Sequence, residues 1–239
     1  MKNFLFLAAL LTLFSASPGW AQRKGKDKSS SAVPLDASSR LRPLFGGLTP
    51  ALAEQMMGPA FLAGIDKSFP SRAEASKFFS NKGFEYLAEN QPDTAIYRFN
   101  LAWLLDQKNA DAYRGLGVIS ARNPTTDETV SLLTQGLALA PNDAYMLSDL
   151  GATYLIRYQQ TQKKKDLKTG ADLLTKALAA NPNNAIAWQE MARANFHQGE
   201  YTKAWEAIHK GRNLDLTSLN FALISELLQK QPDPQGTFK

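Results

Sequence analysis

From residue 76 to residue 231, apolar side chains return at three- and four-residue intervals, the period of helices that bury one face and leave the other in water. The helical runs are short and clearly punctuated. Pro141-Asn142-Asp143 and Pro182-Asn183-Asn184 each read as a helix stop followed by a new N-cap, and Gln198-Gly199-Glu200 reads as a tight turn between two helices. Upstream, Leu44, Phe45, Leu48, Met56, Phe61 and Ile65 give 43–75 enough apolar surface to pack as one or two short helices. Thr49-Pro50 supplies a cap and a first-turn proline for one of them. Ser71 with Glu74 forms a capping box that opens the long helical pattern beyond it. Gly46-Gly47 follows no strand pattern and precedes no Lys-Ser/Thr, so it reads as a turn rather than a phosphate loop.

The pattern repeats. Phe79, Gly83, Tyr86, Ala95, Phe99 and Ala102 return 34 residues later as Tyr113, Gly117, Ser120, Thr129, Leu133 and Gly136. A third unit carries Leu147, Gly151, Tyr154, Gly170, Leu174 and Ala177, and a fourth Trp188, Ala192, Asn195, Ala204, Ile208 and Gly211. Small residues recur where one helix must approach another, and large ones fill the space between them. Phe79, Tyr113, Leu147 and Trp188 share one position, which predicts that each is buried against the unit before it.

These residues resemble the tetratricopeptide repeat family over about 76–218. The resemblance implies an all-α, right-handed superhelical solenoid of about four helix hairpins, at 76–109, 110–143, 144–184 and 185–218. A capping helix at 219–231 and the short helical segment at 43–75 cover its two ends, and 232–239 is expected to be disordered after Gln231-Pro232-Asp233-Pro234. Gln107 and Leu216 stand where the family has proline, so those junctions are either looser or continuous. In the third unit Tyr154 and Gly170 are 16 residues apart where the others hold nine, a seven-residue insertion of about two helical turns shared between two helices. The inserted stretch carries Lys163, Lys164, Lys165 and Lys168, either a solvated protrusion or a docking knob for an acidic partner.

Ahead of the repeats, Lys2 precedes an 11-residue apolar run from Phe4 to Phe14, then small residues and Gly19-Trp20-Ala21. This is the layout of a cleavable secretory signal, and the run is too short for a spanning helix, which needs roughly 20 residues. Cleavage near Ala21 predicts a periplasmic or secreted chain with 26 basic and 22 acidic side chains, a net +4 over 218 residues that does not imply nucleic acid. Residues 22–42 are basic and serine-rich with few large apolar side chains. They read as a flexible tether whose Arg23, Lys24, Lys26 and Lys28 are either solvated or in contact with anionic envelope components.

Catalytic chemistry is hard to find. There is no cysteine, and the two histidines, His197 and His209, fall on different predicted helices, so no metal site, thiol nucleophile or cofactor motif emerges. Gly115-Leu116-Gly117 lies inside a helix rather than at a strand-to-helix turn and serves the repeat. The chain is therefore read as a non-catalytic interaction scaffold of the bacterial cell envelope. In the family the first helices line the concave groove, which by register implies partner contacts at Phe84, Arg114, Arg122, Tyr145, Gln189, Arg193 and His197. Guanidinium and aromatic groups together point to a protein or peptide, acidic or carboxylate-bearing. Two alternatives stay open: some of these residues only pack against the core or the N-terminal segment, or the guest is a glycan or peptidoglycan fragment. The family's lysine–asparagine carboxylate clamp is not reproduced, because Ser80, Phe84, Arg114, Val118 and Ser148 occupy the matching places.

Overall fold

The structure, a computed structural model, describes residues 37–123 and 125–239. The signal segment expected at 1–21 and most of the tether expected at 22–42 lie outside the described residues. Within them there are helices and no strands: a 3-10 turn (Ala37–Leu41), α1 (Leu44–Gly47), α2 (Pro50–Met57), α3 (Pro59–Ser68), α4 (Arg72–Ala88), α5 (Pro92–Leu105), α6 (Ala110–Ser120), α7 (Asp127–Leu139), α8 (Ala144–Thr161), α9 (Lys164–Ala180), α10 (Ala185–Gln198), α11 (Tyr201–Leu214), a 3-10 turn (Leu216–Ser218) and α12 (Phe221–Leu228).

From α4 onward the helices pair as hairpins, and each hairpin packs on the next to form a solenoid. All four first helices begin at a side-chain cap: Ser71 accepts from the Glu74 amide at 3.2 Å, Asn109 from Asp111 at 3.0 Å, Asp143 from Met146 at 2.7 Å and Asn184 from Ala187 at 3.0 Å. Such a cap typically contributes about 1 kcal/mol and fixes where the helix starts. Gln107 closes α5 in place of a proline, its Nε2 donating to the carbonyls of Trp103 and Leu104, so the chain turns cleanly there. Within the third hairpin the backbones nearly touch. A Cβ on Gly170 would sit 2.9 Å from the Gly151 carbonyl oxygen, and a Cβ on Gly151 would sit 3.1 Å from that of Gly170.

The inserted residues lengthen α8 and α9 to 18 and 17 residues, against 14 and 14 for α10 and α11. That is about one extra turn on each of the two helices. Lys163, Lys164, Lys165 and Lys168 are exposed at the resulting tip. The acid among them is not: Asp166 is 5% exposed and takes a 2.7 Å bond from Arg157.

The N-terminal segment lies along the first hairpin, with α1 and α2 against α5 and α3 against α4. Its entry turn is left-handed at Leu44, Phe45, Gly46 and Gly47, with φ of 51°, 53°, 78° and 83°. For the two non-glycine residues this costs roughly 1–2 kcal/mol each. What offsets it is Phe45, fully buried, and Asn100 of α5, also fully buried. The Asn100 Oδ1 accepts from the Phe45 amide at 3.4 Å, and its Nδ2 donates to the carbonyls of Arg40 and Arg42 at 2.9 and 2.8 Å.

Two expectations are corrected. Phe79, Tyr113 and Leu147 are buried as their shared position predicts, but Trp188 is only half-buried. Its indole is drawn outward to donate to the Pro182 carbonyl at 2.8 Å and lies under the Lys210 ammonium at 4.4 Å, whereas Trp205 and Trp103 are buried, 1% and 5% exposed. The tail at 232–239 is folded rather than disordered. Asp233 reaches back to His209, Nε2 to Oδ1 2.7 Å, and its carboxylate also accepts from the amides of Gln235, Thr237 and Phe238 at 2.8–3.0 Å. Phe238 then stacks on Trp205 and His209, so the tail packs on α11. His209 is accordingly a core residue, 4% exposed.

Candidate functional site

The first helices α4, α6, α8 and α10 form one wall of the solenoid, with α4 packed on α6 and α8 on α10. Along this wall the structure brings together three of the residues singled out in the sequence. The Arg114 guanidinium lies 5.2 Å from the Phe84 ring on α4 and 5.1 Å from the Tyr145 ring on α8. Its Nε donates to Asp149 Oδ2 at 2.8 Å, a charge-assisted bond between side chains 22% and 25% exposed. Phe84 meets Phe99 edge-on at 4.8 Å, so the sandwich is rooted in the core. Tyr145 remains 50% exposed and offers its other side to solvent.

Between α6 and α8 the wall opens into a cleft of about 130 Å³. Val118 and Ala121 line one side, Ala152 and Ile156 the other, with Thr129 and Leu133 of α7 beneath and Asp149 among the lining groups. The lining is almost wholly apolar. Thr129 is 1% exposed and its hydroxyl has no hydrogen-bond partner. A larger hollow of about 670 Å³ lies where Leu41–Gly47 crosses α5, α6 and α7. It meets the first helices only at Ile119 and Ser120, the end of α6, is bordered by mixed polar groups such as Arg42, Glu128 and Gln135, and contains none of the side chains of the Arg114 cluster.

Further along, Arg193 pairs with Glu190, Nη2 to Oε1 3.2 Å, with side chains 22% and 14% exposed. Glu190 Oε2 is buried without a hydrogen-bond partner. Burial pushes the Glu190 carboxyl above its ordinary range; the Arg193 charge opposes this and the Asp149 charge adds to it. Asp149 is raised by burial as well, against the charge and hydrogen bond of Arg114 and with Asp143 adding to the rise. Asp111 is raised by burial and Asp143, opposed by Arg114 and Lys77. In each case desolvation is the largest cause. His197 sits 5.3 Å from the Tyr158 ring with Nε2 3.1 Å from Gln159 Nε2; burial and the Arg193 charge lower its pKa, which favours the neutral ring, while Glu226 opposes them.

Not all of the predicted contacts lie on this surface. Gln189 is 5% exposed and donates to the Ile208 carbonyl inside the α10–α11 hairpin, where Gly211 leaves room for its amide, so it does not line the wall. Arg122 is exposed just past the end of α6, outside the Arg114 cluster. The sequence reading missed Asp149 and Glu190 because it sought cations and aromatics. The i,i+3 spacing of Glu190 and Arg193 was a visible sign of one pair. Nothing in the sequence announced Asp149 as the partner of Arg114, 35 residues away. Among the described residues, no group of three or more His, Cys, Asp or Glu side chains is arranged to hold a metal ion, and no helix is long and apolar enough to cross a membrane.

Comparison with known proteins agrees with the hairpin geometry. Residues 173–206 match the family model described as tetratricopeptide repeat, a span running from α9 through α10 into α11. No curated protein matches the sequence. Among solved structures, the chain is similar to PilF of Pseudomonas aeruginosa at 20% identity, covering 69% of this chain and 74% of that one with a TM-score of 0.56. It is similar to TTC0263, a thermophilic TPR protein of Thermus thermophilus, at 17% identity, covering 67% and 94% with a TM-score of 0.54. It is also similar to MamA from Desulfovibrio magneticus RS-1 at 19% identity, covering 70% and 89% with a TM-score of 0.51. At these identities the likeness is one of fold. The chain is thus an all-helical solenoid of stacked hairpins, with the fold of tetratricopeptide proteins and a match to that repeat at 173–206.

Proposed function

We propose that this protein is a non-catalytic scaffold that holds a segment of a partner protein against its first-helix wall. The observation that carries this reading is the apolar cleft between α6 and α8, placed beside the Phe84–Arg114–Tyr145 sandwich. A cavity of this order takes one small apolar group, since roughly 150 Å³ suffices for benzene. Tyr145 and Arg114 beside it are the side-chain types that anchor protein interfaces. Helix hairpins make such a wall rigid, so little ordering entropy is lost when a guest binds.

The two wall arginines read differently once their neighbours are known. Arg114 and Arg193 are each paired with a carboxylate, which disfavours the acidic guest that their charges alone implied. A second contact, for an acidic partner surface, is proposed at the extended tip of α8 and α9, where Lys163, Lys164 and Lys165 are exposed and Asp166 is turned inward. The apolar run at 4–14 and the small residues before Gln22 support export to the periplasm or beyond, with cleavage near Ala21.

The test is capture from envelope extract by the mature chain and by Ala152→Trp, which fills the cleft, with circular dichroism as a control for folding. Wild type retains its partner in the presence of excess peptidoglycan fragments and Ala152→Trp loses it. Loss of the partner to glycan competition favours the glycan reading, and equal capture by both proteins removes the wall assignment.

A further inference from the structure

The wall carries four half-buried acids, Asp111, Asp143, Asp149 and Glu190. Glu190 is 14% exposed, Arg193 engages only its Oε1, and Oε2 is left buried and unpartnered. An unsatisfied buried oxygen of a charged group is costly and rare in native structures. Asp149 on the neighbouring helix acts on Glu190, and Asp111 and Asp143 act on the same stretch of wall, against Lys77, Arg114 and Arg193. Both arginines are already held, Arg114 by two rings and Asp149 and Arg193 by Glu190, so neither is available to neutralise a further carboxylate. A second orphan lies in the adjoining cleft, where the Thr129 hydroxyl is 1% exposed without a partner.

We propose that the guest segment carries a lysine or arginine side chain that pairs with Glu190 and Asp149, next to an apolar side chain seated in the cleft between α6 and α8. This deepens the wall reading and rests on it. A guanidinium or ammonium beside the two carboxylates adds positive charge among the half-buried acids of the wall and donates to their accessible oxygens. An anionic group at the same place meets Asp149 and Glu190 at close quarters, a juxtaposition that discriminates strongly between partners. The apolar side chain gives area and the cation gives selectivity, so the recognised pattern is a short run that combines the two.

The experiment presents an immobilised random decapeptide library to the wild-type chain, to Glu190→Gln and to Ala152→Trp. Wild type is expected to enrich peptides with Lys or Arg beside an aliphatic or aromatic residue. Glu190→Gln should bind the best of these about tenfold more weakly while still binding versions with norleucine in place of the cation. Peptides enriched in Asp or Glu, or without charge preference, overturn the cation assignment if Ala152→Trp still abolishes capture, and the wall reading survives. No peptide capture by wild type, or capture that Ala152→Trp leaves unchanged, overturns the wall reading and the cation assignment together.

Discussion

Arg114 of α6 lies between the rings of Phe84 on α4 and Tyr145 on α8, so one side chain joins three successive hairpins. It also holds Asp149, and its removal therefore deletes two stacking contacts and leaves a largely buried carboxylate without its counter-charge. Arg114→Ala is predicted to cost about 1–3 kcal/mol in urea unfolding. Adding Asp149→Asn should return part of that loss, because the orphaned charge is then gone. Independent, additive effects of the two substitutions contradict the pairing.

Glu190 makes a prediction about pH. Its folded-state carboxyl is raised above its ordinary value, so at neutral pH the ionised form weakens the fold relative to the unfolded chain. That penalty grows as pH rises from the unfolded pKa through the folded one and disappears when both states are protonated. Glu190→Gln should accordingly melt higher than wild type at pH 7, with the difference vanishing below about pH 4. A lower melting temperature for the variant at pH 7 means that the Arg193 pair outweighs burial.

Gly151 and Gly170 face each other across the α8–α9 hairpin with no space for a methyl group on either. Gly170→Ala should destabilise by about 1–3 kcal/mol despite the better helix propensity of alanine, because the new carbon meets a backbone oxygen rather than a flexible side-chain end. Gly64→Ala in α3 meets nothing within 4 Å and serves as the control, expected to be neutral or stabilising.

The tryptophans separate core from surface. Trp205 is 1% exposed, and Trp205→Ala should cost about 3–5 kcal/mol. Trp188→Ala should cost less, about 1–2 kcal/mol, because its ring is only half-buried. Equal losses in denaturant unfolding contradict this ordering.

The C-terminal tail depends on Asp233, which accepts from three backbone amides and sits 2.7 Å from His209 Nε2. Asp233→Ala should release it. Hydrogen exchange at the Thr237 and Phe238 amides should speed up strongly while exchange in α8 stays unchanged; unaltered protection at those amides refutes the anchoring role.

Much of the fold was legible because repetition writes the same packing problem several times. Gly83 and Gly117 recur 34 residues apart because each stands over a large side chain of its own hairpin, Phe99 and Leu133. The insertion was legible as a broken interval, and the structure adds about a turn to each helix. The tail was not, because its order comes from one carboxylate meeting a histidine 24 residues away rather than from any local pattern. Trp188 misled because its position in the repeat predicts burial while its indole N–H needs an acceptor, found at Pro182. On the wall, register put Phe84, Arg114 and Tyr145 on successive first helices but could not show that Asp149 and Glu190 engage the arginines, since such pairs join different hairpins or depend on which rotamer is buried.

The most direct test of the central claim places a photo-crosslinking amino acid at Ala152 in the cleft and, separately, at Lys203 on the exposed side of α11. Irradiation in intact cells followed by mass spectrometry should give a defined peptide adduct from position 152, containing an apolar residue close to Lys or Arg, and none from position 203. Adducts from position 203 alone, or the same unselective spectrum from both, contradict the account.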